Sequence, residues 1–195
     1  MRKPDAKVVA RIVADYRDAR SVQAALERIL PSIAAAASEV RQALAAGGKV
    51  LVCGNGGSAA DAQHFTAELL GRFEKDRRAL PAIAISTDTS SLTAIGNDLG
   101  FDRVFSRQVE GLGRRGDLLV AISTSGKSPN VLEAAKAARR RGLRVVALTG
   151  EAASPLARLA AVAIRAPSKR TARIQECHEF AIHAICGVVE ASVRG

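Results

Sequence analysis

The chain has 195 residues, 48% of them hydrophobic, 25% charged and only 3% aromatic. That length and apolar fraction exclude wholesale disorder, and no apolar run approaches the roughly 18 residues of a membrane span. Lys and Arg number 29 against 19 Asp and Glu, a formal charge of +10 that fits either a nucleic-acid binder or an Arg-rich background, since 22 of the 29 are Arg.

The N-terminal stretch MRKPDAKVVARIVADYRDAR mixes charges into its apolar residues and does not read as a secretory signal, so a soluble cytoplasmic protein is expected. Residues 6–46 carry helical periodicity: Val9, Ile12, Val13 and Tyr16, then Leu26, Ile29, Leu30 and Ile33. Pro31 is expected to kink or divide this stretch, and Gly47-Gly48 to end it. From Lys49 the pattern changes. Short runs rich in Val, Ile, Leu and Ala at 49–54, 82–86, 117–123, 144–150 and 161–166 read as strands covered on both faces. Helical segments are expected near 58–73, 89–112, 128–141 and 154–160, with a long last helix at about 171–193. This alternation predicts an α/β fold, a doubly wound five-stranded parallel sheet with an N-terminal helical extension. Residues 1–48 form the extension, part of the same unit, and 49–195 the sheet domain. Cys53, Cys177 and Cys186 form no CxxC pair and read as reduced thiols.

In doubly wound folds ligands sit at the carboxyl ends of strands. Gly54-Asn55-Gly56-Gly57-Ser58 follows the first strand and opens a helix, with Ser58 placed as a cap or ligand donor. Ser123-Thr124-Ser125-Gly126-Lys127-Ser128 follows the third strand and offers hydroxyls at a helix start, a cradle suited to phosphate. GNGGSA is not GxGxxG and no GxxxxGK[ST] occurs. Ordinary strand-to-helix turns would also use such residues. Two of them after different strands put a small phosphorylated ligand on equal footing with ordinary turns.

His64 and Glu68 lie four apart on the helix opened by the glycine loop and share a face, a spacing that suits two metal ligands, a base with its orienting partner, or a plain surface pair. The last helix carries His178 and His183, five residues and hence roughly 140° apart, so only one belongs to a given face and spacing does not say which. Asn97-Asp98 reads as a helix end or turn.

Together GNGGSAADAQHFTAELLGRFE, PAIAISTDTSSLTAIGND, STSGKSPN and RIQECHEFAIH, in this order, resemble the phosphoheptose isomerases of the sugar isomerase (SIS) domain superfamily, from about Lys49 to Val189. The resemblance implies an aldose–ketose isomerase interconverting sedoheptulose 7-phosphate and D-glycero-D-manno-heptose 7-phosphate, for activated heptoses of surface glycans. It implies Glu68 and His183 as the acid–base pair, and one zinc ion per subunit at His64, Glu68, Gln175 and His183. It implies substrate contacts at Asn55, Gly56, Gly57, Ser58, Glu68, Arg72, Asn97, Asp98, Ser123, Thr124, Ser125, Ser128 and Gln175, and a homotetramer with sites between subunits. Two tensions come with it: a zinc-bound Glu68 is a poorer base, and Gln175 and His183 stand about 12 Å apart along a regular helix.

Non-catalytic SIS proteins that attach to the bacterial replication initiator share a similar glycine loop and the tail 166–176. Glu68 and His183 discriminate, because isomerase chemistry needs both groups. With aromatics scarce and no nucleic-acid motif, the charge reads as Arg-rich background around a phosphate-binding enzyme.

Overall fold

A computed structural model describes residues 5–193, so the outer limits of the extension and of the sheet domain, at 1–4 and 194–195, lie outside the described residues. The five apolar runs form strands close to where they were expected: β1 Val50–Cys53, β2 Ala82–Ala84, β3 Leu118–Ile122, β4 Arg144–Gly150 and β5 Val162–Ala166. All pair in parallel, in the order β2-β1-β3-β4-β5. The chain winds outward one way from β1 to β2, then back across β1 to β3 and on to β5. The two directions part between β1 and β3, where a crevice opens at the carboxyl ends of the strands.

Strand residues alternate between two apolar layers. Val50 and Val52, Leu118, Val120 and Ile122, Val146 and Leu148 face one layer, whereas Leu51 and Cys53, Leu119 and Ala121, Val145 and Ala147 face the other. The first layer holds α2 (Leu30–Ala45), α3 (Gly57–Leu70) and the long α8 (Thr171–Ala191). The second holds α5 (Ser106–Leu112), α6 (Pro129–Arg140) and Leu156 of α7 (Pro155–Leu159), with Leu92 and Ile95 of α4 (Thr89–Leu99) packed against it. Leu26, Ile29, Ile33, Val40 and Leu44 pack in the same cluster as Val52, Val120 and Leu148, so the N-terminal helices share the sheet's core.

Three local differences from expectation have physical causes. The segment read as one helix over 89–112 is divided into α4, a 3-10 turn at Phe101–Arg103, and α5, because Gly100 takes φ +91°, a conformation side-chain-bearing residues avoid. The strand read over 82–86 is only three residues long, although Ile85 still donates to the Val52 carbonyl (2.9 Å) before the chain turns away. Pro31 does divide the leading helices: α1 (Ala6–Ala24) runs into a 3-10 turn at Ala25–Ile29, and Pro31 falls in the first turn of α2, where no backbone N–H is required.

At the amino end of the sheet, the buried Asp117 carboxylate accepts the backbone N–H groups of Lys49 and Arg114, both at 2.9 Å, and pairs with the Lys49 ammonium. Burial raises its pKa, but these donors outweigh it and hold the group below the usual carboxylate range. The contact ties the start of β1 to the start of β3, and so fixes the pair of strands that carry the two loops. All three cysteines are free and buried, and burial pushes the Cys53 thiol up to about 12, which keeps it inert. Among the described residues, no helix is long and apolar enough to cross a membrane.

Candidate active site

The glycine loop leaves β1 and the hydroxyl-rich loop leaves β3, so they border the crevice from either side. Hydrogen bonds within the hydroxyl-rich loop fix its side chains. Ser123 Oγ lies 2.9 Å from Ser128 Oγ and 3.5 Å from Ser125 Oγ, and accepts the Gly126 N–H at 3.1 Å. The Lys127 N–H donates to Ser125 Oγ at 3.2 Å. A cavity of about 200 Å³ beside this loop is lined by the hydroxyls of Thr124, Ser125 and Ser168, by Lys127, and by Lys169, whose ammonium lies 3.6 Å from the Glu151 carboxylate on the same wall. Such a lining suits a dianionic phosphate.

The Asn55 and Asn130 amides exchange hydrogen bonds at 2.8 and 2.9 Å, joining the glycine loop to the first turn of α6. Asn130 was not singled out in the sequence, and its partner lies 75 residues away. The only local signal was its position directly after the hydroxyl loop. Ser58 is not the helix cap. Helix α3 begins at Gly57, which places Ser58 inside the first turn and buries it.

Helices α3 and α8 run side by side in the same direction, and their contacts come in steps. The Gln175 amide lies over Gly57, where a Cβ would stand 2.0 Å from Gln175 Nε2, so glycine is required for the close approach. About one turn further along α8, Glu179 Oε1 lies 3.1 Å from His64 Nε2 and 3.4 Å from His183 Nε2. The two imidazoles meet edge-on with their Nε2 atoms 2.9 Å apart, and Glu68 Oε1 lies 3.6 Å from His64 Nε2. The donor atoms of His64, Glu179 and His183 lie within 4.8 Å of one another, a group able to hold a metal ion. Beside it, burial and the Glu179 charge push Asp61 up to about 6, against the opposing pull of His64, and its buried Oδ2 has no partner.

The structure therefore brings His64, Glu68 and His183 together and seats Gln175 on the glycine loop, one step away. Glu179 was passed over in the sequence, although Gln175, Glu179 and His183 recur every four residues on one stripe of α8. Arg72 lies on the strap that follows α3, exposed. Asn97 and Asp98 sit at the exposed end of α4, bonded to each other at 2.8 Å. The question of the two last histidines is resolved: His178 points into the core, its Nε2 bonding the Thr149 carbonyl at 3.2 Å, while His183 faces the cluster.

A parallel sheet with two anion-suited loops at its switch point, and a cluster of histidines and carboxylates on the neighbouring helix pair, defines a phosphosugar-binding protein of the SIS class. Residues 16–150 match the SIS domain family, to which the chain belongs. Within that family it belongs with the phosphoheptose isomerases. It is 52% identical to the phosphoheptose isomerase of Neisseria gonorrhoeae over 93% of this chain and 94% of that protein, and 56% identical to that of Rhodospirillum rubrum over 82% and 85%. The solved structure of a phosphoheptose isomerase from Francisella tularensis superposes with a TM-score of 0.91 at 38% identity, covering 95% of this chain and 99% of that one.

Burial lowers the His178 pKa to about 4, against a smaller opposing effect of its bond to Thr149. Because the folded value lies below the unfolded value of about 6.5, the stability is fully present above pH 6.5 and is lost as pH falls towards 4, by about 3 kcal/mol. Urea unfolding at pH 7, 5.5 and 4.5 is expected to show a smaller acid loss in His178→Asn than in the wild type. Equal losses in both would contradict a neutral, buried His178.

Proposed function

We propose that the chain interconverts sedoheptulose 7-phosphate and D-glycero-D-manno-heptose 7-phosphate in the cytoplasm, supplying activated heptose for surface glycans. The observation that carries this reading is the position of Glu68: the helix opened by the glycine loop delivers a half-buried carboxylate to the side of the His64–His183 pair. Moving a carbonyl from C2 to C1 takes a proton from C1, protonates the C2 oxygen, returns a proton to C2 and removes the one on the C1 oxygen. Glu68 carries the proton between the carbons, and His183 serves the oxygens or the opening of the sugar ring. The Ser123–Ser128 loop, with Asn55 and the glycine backbone across the crevice, holds the phosphate end. That remote binding orients the reacting end.

The donor set fits one zinc ion per subunit: ligand distances of about 2.0–2.1 Å place tetrahedral ligand atoms roughly 3.3 Å apart, close to the 2.9, 3.1 and 3.4 Å separations within His64, Glu179 and His183. His64 and His183 would hold the ion, with Glu68 and Gln175 completing the set that the family resemblance implies and Glu179 lying nearer to His64 than Glu68 does. Bound there, zinc would supply Lewis-acid stabilisation of enediolate charge. A carboxylate at Glu179 lets Glu68 keep its basicity, which eases the conflict of one residue serving as both ligand and base.

The sites are proposed to be completed between subunits of a homotetramer. In support, α1 buries none of its residues and presents Val8, Val9, Ile12, Val13 and Tyr16 on its surface. Sedimentation equilibrium should return a mass near four chains of 20.4 kDa, and a monomer across the working concentration range would contradict this.

Incubation of the purified chain with sedoheptulose 7-phosphate, followed by NMR, is expected to show the aldose accumulating. Glu68→Gln should lower kcat by about 10²- to 10⁴-fold while leaving phosphosugar binding in place. Turnover undiminished in that variant would remove Glu68 as the base.

A further inference from the structure

Beyond the reacting group, α3 and α8 meet once more, at a buried ion pair. Glu190, near the end of α8, turns its carboxylate towards the strap 71–77 that leaves α3. Its Oε1 accepts the Phe73 N–H at 3.0 Å, and its Oε2 accepts those of Glu74 and Lys75, both at 2.9 Å. Three successive N–H groups thus converge on one carboxylate, the arrangement by which backbone binds an anion. Arg77 stands behind it with Nε 3.5 Å from Glu190 Oε1, and the two side chains are only 3% and 4% exposed. The Arg77 guanidinium also caps α3: Nη1 donates to the carbonyls of Leu69 (2.8 Å), Gly71 and Arg78 (both 3.0 Å), and Nη2 to that of Glu68 (2.5 Å). Those of Glu68 and Leu69 belong to the last turn of α3, where carbonyls have no partner within the helix.

A buried ion pair is a poor source of stability, since desolvating both charges offsets most of their attraction. What this pair does well is fix position. The strap it holds carries Phe73, whose ring lies 5.6 Å from the His183 imidazole, centroid to centroid and tilted by 31°. Phe73 also meets α8 at Gly187, one turn beyond His183, where an added Cβ would be 3.7 Å from the ring. The His183 side chain is itself 43% exposed, so it lacks a packed pocket of its own. Glu68, whose carbonyl Arg77 binds, stands on the other side of the same group.

We propose that Glu190 and Arg77 are positioning residues for the isomerisation: the pair sets the strap, the strap seats Phe73, and Phe73 holds the imidazole of His183 in the plane in which it meets His64. Phe73 supplies the wall and Glu190 keeps the wall in place. The inference rests on the reading of His183 as an acid–base residue, and it adds three residues that touch no substrate.

The test uses the full-length protein. Glu190→Gln keeps the shape but turns an NH₂ group towards the strap's own N–H donors. It is expected to lower kcat by about 10- to 100-fold with a much smaller change in KM, because the phosphate loop is untouched. Phe73→Leu leaves the ion pair intact and is expected to lose a similar factor. The double variant should lose no more than the worse single one, since both act through the same ring. A kcat within about twofold of wild type in Glu190→Gln, or losses that multiply in the double variant, would overturn the proposal.

A second readout does not depend on turnover. The chain has three histidines, so ring resonances of histidine-labelled protein are readily assigned. Those of His183 should move in both single variants while those of buried His178 stay in place. Unmoved His183 resonances in Phe73→Leu would overturn the proposal even if Glu190→Gln failed to fold. A wild type inactive on sedoheptulose 7-phosphate would instead overturn the isomerase reading, and the imidazole resonances would still decide the positioning role.

Discussion

Everything in the site depends on the register between α3 and α8. The two helices lie parallel, and each step of their contact puts a different chemical function in place: Gln175 at Gly57, Glu179 and His183 at His64, and Glu190 at the strap after α3. A slip of one turn, about 5.4 Å, would break every one of these contacts. The register is held from below by apolar packing. Ala62, Phe65 and Leu69 of α3 share a core with Ile174, Cys177, Ala181, Ile182 and Ile185 of α8. Side chains of this size interlock in discrete positions, so the side chains of the cluster inherit the precision of the core.

The sheet supplies the other half of the site. Reversal of winding between β1 and β3 places one loop from each strand at the same crevice, and Asp117 locks these two strands together at their far ends. The phosphate end of a sugar would be held there by backbone and hydroxyl groups, while its reacting end meets side chains from the helix pair. This division suits catalysis, because tight binding of the unreactive end can be used to orient the carbons that exchange a proton. Several arginines are paired with carboxylates away from the site. Arg103, Arg107 and Arg140 surround Glu110, Arg144 pairs with Glu39, and Arg170 reaches Asp15 and Asp18 on α1. Exposed pairs of this kind contribute little individually to stability. Lys127 and Lys169 border the cavity beside the hydroxyl loop, together with Glu151.

The strands and most helices were legible because apolar periodicity is a local property. Gly100 shows the limit: its effect on 89–112 depends on a backbone angle that many glycines inside helical patterns do not adopt. The sheet order was not legible, since no local pattern says whether β3 lies beside β1 or beside β2. Within the site, His64 and Glu68 were recognisable from their four-residue spacing, and the two loops from their residue types. Glu179 was hidden between two histidines, which are the more conspicuous ligand types. Asn130, Arg77 and Glu190 were beyond reach: Asn130 and Glu190 find their partners 75 and more than 110 residues away, and an isolated Glu or Arg near a helix end reads as a solvated charge.

The chemical core of the account is that a proton, carried by a carboxylate in contact with solvent, moves between adjacent carbons. With its side chain 21% exposed, Glu68 can exchange that proton with water between its removal and its return. The most direct measurement is therefore the reaction run in D₂O, with the aldose product read by NMR and mass spectrometry. The account predicts deuterium at C2 of D-glycero-D-manno-heptose 7-phosphate from the first turnovers. An aldose formed at full rate with only protium at C2 would show that the hydrogen never reaches a group in exchange with water, and would contradict it.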